Sequence, residues 1–441
     1  MEPIVDIGIL HSSNIRFELS GNYYFKEGNI KIKGNQIVSY HLGLIKMGEL
    51  EKQFSEITLI PEIYDTNYVT VSDVIIGINF HWQQKQNQRF KGKIVFKIEE
   101  EKVWLINHIP VEEYLKSVIS SEMKATSHIE LLKAHAIISR SWLLAQIERR
   151  TKGKQKEQTV FSASATENEL IKWYDNHDHK LFDVCADDHC QRYQGITQIS
   201  TKKASDAVAE TSGEVLMYDN SLCDARFSKS CGGISENFEH VWENTHLPYL
   251  TKIVDNKEIS QLAKLDLKIE ANAQAWILNN EPAFCNTKEK KVLEQILNDY
   301  DLDTNFYRWT EELSQEKISK LIFKKSDIDF GEILSLKSIE RGESGRIVKL
   351  EIHGTKKTMT IGKELEIRRI LSESHLFSSA FVVEMHEIKN GIPQKFVLKG
   401  AGWGHGVGLC QIGAAVMANK GYSYIQILEH YFKNAEIFKK Y

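Results

Sequence analysis

Two short segments gather the residue types that could do chemistry. SSEM, Ser120–Met123, presents one carboxylic acid, Glu122, just ahead of a strongly amphipathic helical pattern. GAGWGHGVG, Gly400–Gly408, places glycine at every other position with Trp403 and His405 in between. An acid flanked by apolar Ile119 and Met123 would have its carboxyl pKa raised. That keeps the protonated form available to a poor leaving group such as a glycosidic oxygen. Most glycosidases need a second carboxylate. A reaction in which the sugar's own C6 hydroxyl attacks the anomeric carbon does not, because the intramolecular nucleophile draws its rate from proximity. Alternating glycines let backbone approach a sugar ring, and the indole of Trp403 suits a pyranose face. Plainer readings stand beside this one. Glu122 could be a solvated helix-end residue, and the glycine loop a packing turn or a dinucleotide-binding loop. The every-second-residue spacing and the lack of a following βαβ unit argue against the last.

Further constellations lie between these segments. FSKSCGG, Phe227–Gly233, ends in Gly232-Gly233, which allows a sharp turn with open backbone amides beside Ser228 and Ser230. Cys231 reads as a buried or cleft-lining thiol, since no setting for a nucleophile surrounds it. His179, Cys185, His189 and Cys190 fall within twelve positions, with His177 and Asp187 in reserve. Their mix of thiolates and imidazoles fits a closed tetrahedral zinc site that braces a loop rather than activating water. Adjacent His189 and Cys190 can both ligate only across a sharp backbone turn. A Cys185–Cys190 disulfide and two free thiols are the alternatives. Arg140, five residues after His135, sits between Ser139 and Ser141 on a mostly apolar helix. It calls for a specific acidic partner or an anionic ligand.

The elements that must position these residues follow from periodicity. Alternating runs at Val5–Leu10, Ile15–Leu19, Ile30–Ile32, Val69–Ile78, Lys93–Ile98 and Val103–Ile106 predict a β-rich part over 1–107. Pro110 opens a short helix ending near Ser120. Ser127 with Glu130 has the spacing of a capping box for a second helix reaching Arg149, followed by a polar loop to Thr159. Strands are expected around Gln191–Ile199 and through Glu214–Trp242, completing a core over 108–254. Residues 255–345 are poor in glycine and rich in Lys and Glu, and predict a helical insertion or sub-domain with helices at Ala271–Leu278, Lys288–Tyr300 and Ser314–Ile322. Over 346–441, strands at Gly345–Ile352 and Phe396–Leu398 precede two helices. Gly421 ends the first and Ser423 caps the second. The fold class is α+β.

With 441 residues, 42% hydrophobic and 26% charged, the chain can bury a substantial core. A formal net charge of -4 gives no support to a nucleic-acid or membrane-surface role. Six cysteines in this length do not make a disulfide scaffold. No window is apolar enough to span a membrane, and MEPIVDIGILHSS, with Asp6 inside it and no basic start, does not read as a signal peptide.

Taken together, VEEYLKSVISSEM with ELLKAHAIISRSWLLA, then ARFSKSCGGISENFEHVW, then GAGWGHGVGLCQIGAAVMANKGYSYIQILEHYF resemble the SpoIID/LytB family of stage II sporulation protein D and amidase enhancers. The resemblance implies a peptidoglycan lytic transglycosylase acting on glycan strands stripped of stem peptides. It puts the catalytic acid on Glu122, the helix arginine on Arg140, and the glycine–histidine loop on Gly404, His405, Gly406 and Gly408, followed by Gln411. With Trp403 and the Ser228, Ser230, Gly232 and Gly233 segment, these form the expected glycan-binding set. Some family members carry a Cys/His zinc cluster after the catalytic helix, which strengthens the zinc reading. The implied partners are glycan strands and a cell-wall amidase, and the implied location is extracytoplasmic. A non-catalytic glycan-binding activator of an amidase is the alternative from the same family. A hydrolytic muramidase would instead need a second carboxylate about 6.5–9.5 Å from Glu122 for inversion, or about 5–5.5 Å for retention.

Overall fold

The computed structural model describes residues 1–48, 50–78, 83–153, 163–173, 179–187, 189–197, 201–297 and 305–441. The chain divides into two compact units built from discontinuous segments. One comprises Met1–Lys156, Asn176–Val215 and Phe438–Tyr441, the other Glu157–Asp175 and Leu216–Ile437.

The first unit is dominated by one large sheet. Its order runs Val184–Cys185, Ile4–Ser12, Lys102–Pro110, Lys93–Glu99, Ile57–Pro61, Asn14–Phe25, Ile30–His41, Leu44–Met47, Gln53–Phe54, with Tyr68–Ile76 and Gln84–Phe90 branching from Asn14–Phe25. Period-two patterning places the strands. In Asn14–Phe25, Ile15, Phe17 and Leu19 point inward while Arg16 and Glu18 stay exposed. An irregularity in the pairing between Leu19 and Tyr23 precedes Tyr23 and Phe25, which are again buried. The sheet edge matters for the site. Val184–Cys185 pairs in parallel with Ile7 and Gly8, and a Cβ on Gly8 would lie 2.4 Å from the Phe182 ring. Only glycine lets this segment dock there.

Helices α1 (Val111–Glu122), α2 (Ile129–Gly153) and α3 (Lys202–Glu210) belong to the same unit. Two expectations change here. α1 runs on two residues past Ser120, so Glu122 is its last residue. α2 is not amphipathic over its middle: every residue from Ala134 to Gln146 is buried. The polar His135, Ser139 and Ser141 find partners within the helix, His135 Nδ1 with Ser139 Oγ at 3.2 Å and Ser141 Oγ with the Ile137 carbonyl at 2.6 Å. At the start of α2 the Glu130 N–H donates to His128 Nδ1 at 3.3 Å, while the Ser127 hydroxyl turns back to the Lys124 carbonyl at 2.6 Å. α2 also extends past Arg149 to Gly153. The expected polar loop beyond it lies mostly outside the described residues, as does His177.

The expected strands at Gln191–Ile199 are replaced, among the described residues 191–197, by a loop with one isolated bridge from Gly195 to Arg89. The Arg192 and Gln194 amides are drawn to side chains of α1, while the Ile196 N–H donates to the Arg89 carbonyl of the Gln84–Phe90 strand at 2.7 Å.

The second unit carries a five-stranded sheet ordered Ala163–Ala165, Glu169–Lys172, Thr358–Gly362, Ile347–Gly354, Ile333–Arg341, and a three-stranded one ordered Arg308–Ser314, Ile392–Ala401, Phe381–Lys389. Their core includes Ile318, Leu350, Ile361, Phe381, Phe396 and Leu398. Residues 255–345 hold α4 (Glu270–Leu278), α5 (Lys290–Leu293) and α6 (Gln315–Ser326), but also the strands Arg308–Ser314 and Ile333–Arg341, which pair within these sheets. α7 (Glu364–Ile370), α8 (Gln411–Asn419) and α9 (Tyr424–Tyr431) follow. The α8–α9 junction forms as expected. Gly421 adopts φ +88°, and Ser423 and Gln426 make a complete capping box.

Candidate functional site

Glu122, half-buried at the C-terminal end of α1, is held by the loop that follows the cysteine–histidine segment. The Arg192 N–H donates to Glu122 Oε1 at 3.0 Å, and the Gln194 N–H donates to Ser117 Oγ, one turn earlier on α1, at 3.1 Å. Tyr193, between them, stacks on Tyr114 of α1 with ring centroids 5.4 Å apart, and its hydroxyl donates to Asn107 Oδ1 at 2.6 Å. Tyr114 donates to Gln191 Oε1 at 3.2 Å. Four consecutive residues of the loop are thus keyed to α1 or to the strand before it.

The same loop is tied at its other end by His179, Cys185, His189 and Cys190, whose ligand atoms all lie within 4.8 Å of one another. Cys190 Sγ is 3.4 Å from His179 Nε2 and 3.5 Å from His189 Nδ1, and Cys185 Sγ is 3.9 Å from His189 Nδ1. With zinc bonds of about 2.3 Å to sulfur and about 2.0–2.1 Å to nitrogen, a tetrahedron has sulfur–nitrogen edges of about 3.6 Å. The donor set therefore fits a zinc ion. Both cysteines are free thiols rather than a disulfide. The turn that lets adjacent His189 and Cys190 converge is closed by the Cys190 N–H donating to the Asp187 carbonyl at 3.0 Å. Asp187 itself caps the end of the Tyr68–Ile76 strand, accepting from the Gly77 and Ile78 amides at 3.1 and 3.2 Å. The Cys185 thiol is held far below its ordinary value, chiefly by its hydrogen bond with Cys190, then by His179 and His189, against the opposing effect of burial. The cluster thus favours the thiolate a metal requires.

Arg140 is fully buried. Its guanidinium makes a two-pronged pair with Glu112, at 2.9 Å from Nε and 2.6 Å from Nη2, and its Nη1 donates to the Glu214 carbonyl at 2.9 Å. The acidic partner expected from the sequence is present, and no face of Arg140 is open to a ligand.

The second unit holds the glycine loop. Gly402, Gly404, Gly406 and Gly408 all adopt positive φ, from +73° to +96°. The alternation serves close packing. A Cβ on Gly406 would lie 2.3 Å from the Arg346 guanidinium carbon, and one on Gly408 2.1 Å from the Arg226 carbonyl. Loop amides are committed internally. Trp403 and Ser230 exchange backbone hydrogen bonds at 2.8 and 3.0 Å, and the Gly404 N–H donates to the Phe377 carbonyl at 2.8 Å. Ser228, Ser230 and Gln411 are buried, as are Gly232 and Gly233, so this expected binding segment forms a wall behind the loop. Ser228 Oγ is buried without a hydrogen-bond partner.

Trp403 is half-buried, stacked on Phe306 with centroids 4.3 Å apart. His405 is half-buried, edge-on to Trp242 at 4.9 Å, with Nδ1 accepting from the Val407 N–H at 3.0 Å. Burial, then Arg226, Arg368 and Arg346, hold its pKa well below the ordinary value, so the ring is neutral with its proton on Nε2. Sequence reasoning missed the buried Glu236, which accepts from His240 at 2.7 Å, from the Ser344 hydroxyl at 2.6 Å, and from the Asn237, Glu343 and Ser344 amides. It also missed Arg226, which pairs with Asp224 at 2.7 Å and lies 4.2 Å from the Trp242 ring centroid.

A family model described as stage II sporulation protein matches residues 99–218, and one described as a domain of unknown function matches residues 236–408. Stage II sporulation protein D of Bacillus subtilis (strain 168) is 25% identical over 335 residues, covering 75% of this chain and 75% of the relative. The same-named protein of Bacillus amyloliquefaciens is 24% identical over 338 residues. These matches agree with the SpoIID/LytB resemblance of the sequence motifs.

The amidase enhancer of Bacillus subtilis, 23% identical over 338 residues, matches 72% of this chain but only 39% of its own length. Within the SpoIID match fall α1 with Glu122, α2 with Arg140, and the whole cysteine–histidine loop. No helix among the described residues is long and apolar enough to cross a membrane.

Proposed function

We propose that this SpoIID/LytB-like protein is a peptidoglycan lytic transglycosylase with Glu122 as its acid/base. The observation that carries the reading is the way Glu122 is set. A half-buried carboxylate at a helix end receives a backbone amide from a loop knotted by His179, Cys185, His189 and Cys190. Such a carboxylate is positioned by main chain rather than left on a mobile rotamer. Protonated Glu122 donates to the oxygen of the MurNAc–GlcNAc β-1,4 bond as the C1–O bond breaks. The muramyl C6 hydroxyl then adds to C1 and gives its proton back to Glu122. The products are a GlcNAc end and a 1,6-anhydro-muramyl end, with no water consumed. Zinc in the cluster would be structural, holding the loop that presents the Arg192 amide. Trp403 and His405 of the second unit are proposed glycan contacts on the strength of the resemblance.

The test uses peptide-free glycan strands and mass analysis of the products. Wild-type protein should release sugars one water lighter than hydrolysis products. Glu122→Gln should lose about 10²–10⁴-fold in turnover and retain glycan binding, because the shape is kept and the titrating proton removed. Products with free reducing ends would replace this reading with a muramidase. The similarity to an amidase enhancer supports a second reading, a non-catalytic glycan-binding activator. Wild-type protein that binds glycan without cleaving it, yet stimulates a cell-wall amidase, would establish that one.

A further inference from the structure

The second unit contains another convergence of ligand-type side chains, which the proposed reaction does not use. Cys231, Asp255, Cys285 and Cys410 are all buried, at 3%, 1%, 2% and 0% exposure, and their ligand atoms all lie within 4.8 Å of one another. They come from four separate places in the fold. Cys231 precedes the Gly232-Gly233 turn, Cys285 lies between α4 and α5, and Cys410 is the residue ahead of α8. Asp255 lies opposite the turn, its N–H donating to the Gly233 carbonyl at 2.9 Å.

We infer that these four side chains form a second, structural metal centre for a thiophilic divalent cation, zinc first, bound by Cys231, Cys285 and Cys410 thiolates and one Asp255 carboxylate oxygen. Cys231 Sγ and Cys285 Sγ stand 3.7 Å apart. That is the edge of a zinc–thiolate tetrahedron, about 3.8 Å for bonds of about 2.3 Å, and nearly twice the sulfur–sulfur bond of a disulfide, about 2.05 Å. With all four ligand atoms so close, the space suits one ion rather than a multi-metal cluster.

The surroundings match a ligand shell. The Cys231 N–H donates to Cys410 Sγ at 3.3 Å, and the Cys285 N–H donates to Asp255 Oδ2 at 2.8 Å. Tyr431 donates to Asp255 Oδ1 at 2.6 Å, fixing the carboxylate's orientation as outer partners of metal ligands do. His430 Nε2, buried and without a hydrogen-bond partner, lies 3.9 Å from the same oxygen. Gly413 on α8 is needed for this approach, since a Cβ there would fall 2.3 Å from the Tyr431 hydroxyl and 2.5 Å from Asp255 Oδ1.

Charge is also provided for. Three thiolates, one carboxylate and a divalent ion leave two negative charges in a dry site, a cost unless cations stand near. Two guanidiniums reach the backbone of the Cys231–Gly232 step. Arg308 Nη1 donates to the Gly232 carbonyl at 3.0 Å, and Arg346 donates to the Cys231 carbonyl at 3.3 Å. The centre is closed by four protein ligands, so it clamps four distant segments and offers no open position to substrate.

Metal content of the full chain, purified from zinc-supplemented culture and washed with a mild chelator, is the deciding measurement. Two zinc ions per chain are expected. The double variant Cys185→Ser/Cys190→Ser should keep one, and Cys410→Ser should also keep one. Cobalt substituted into the Cys185→Ser/Cys190→Ser variant should give tetrahedral visible bands with thiolate charge-transfer absorption. Asp255→Asn should shift the visible bands while leaving the charge-transfer absorption in place. One zinc in the wild type, lost entirely from the Cys185→Ser/Cys190→Ser variant, overturns the inference. So does a mass two units low, with two of Cys231, Cys285 and Cys410 refusing alkylation after denaturation, because the site would then be a disulfide. Should Cys410→Ser fail to fold, the wild-type zinc count and the cobalt spectrum of the other variant still distinguish a filled second centre from an absent one.

Discussion

Glu236 keeps its charge inside the second unit because five donors meet it. Burial alone would raise its pKa, but the His240 hydrogen bond and charge, the Ser344 hydroxyl and the Asn237 amide outweigh that, and the net shift is downward. For His240, burial lowers the pKa, and Glu236 with Glu239 and Glu343 reverses the sign to a net rise. The two signs define a window. The depressed carboxylate stabilises the fold above its unfolded pKa, about 4.3, and loses that contribution as pH falls through its folded value. The raised imidazole stabilises below about 6.5 and loses its contribution as pH rises through its folded value. His240→Gln should therefore cost about 1.5–3 kcal/mol near pH 6, the range of a hydrogen bond to a charged group, and distinctly less at pH 9. Denaturant unfolding at the two pH values measures it, and a pH-independent loss would show that the imidazole is neutral throughout. Only the i,i+4 spacing to His240 is a local trace of Glu236. Its partner Ser344 is 108 residues away, and a burial that depends on such a contact leaves no periodic trace.

At the scale of elements, the loop over 179–197 joins the cysteine–histidine cluster to the helix end that carries Glu122. The ligand residue types were legible because metal-binding spacing is local. The loop's destination was not: apolar and aromatic residues after Cys190 predicted strands, and the Arg192 and Gln194 amides went to α1 side chains. The glycine loop shows the same division. Alternation marked the backbone as unusual, while the contacts requiring it, with Arg346 and Arg226, lie far away in sequence. If the cluster holds a zinc ion that braces this loop, Cys190→Ser should lose that ion and lower the unfolding temperature. Hydrogen exchange at the Arg192 and Gln194 amides should also quicken by about tenfold or more as local opening becomes easier. Unchanged protection at those two amides would separate the cluster from the positioning of Glu122.

On the scale of the whole molecule, each unit is assembled from stretches far apart in the chain, and a buried ion pair fastens three of the first unit's stretches together. Glu112 on α1 accepts from Arg140 on α2, from the Gly213 N–H at 3.1 Å, and from the Tyr441 hydroxyl at 2.6 Å. The helices and alternating strands that flank this knot were readable from pattern alone. The knot was not, because Glu112 and Tyr441 are separated by 329 positions. Burial pushes the Glu112 carboxyl up, yet the Arg140 hydrogen bond and charge, with Tyr441 and Gly213, bring it net downward. The pair's stabilisation is thus present above about pH 4.3 and lost as pH falls through the folded value. Arg140→Met leaves a buried carboxylate without its cation and should cost about 3–5 kcal/mol near pH 7. Acidification should narrow the gap to the wild type, because protonated Glu112 no longer needs the guanidinium. Adding Glu112→Leu to Arg140→Met removes the stranded charge and should recover a substantial part of the loss. Chemical unfolding of the two variants at pH 7 and pH 4 tests the argument. A single variant as stable as the wild type, or a double variant no better than the single, would show that Arg140 does not hold the unit through Glu112. It would also reopen the question of whether its guanidinium serves a ligand.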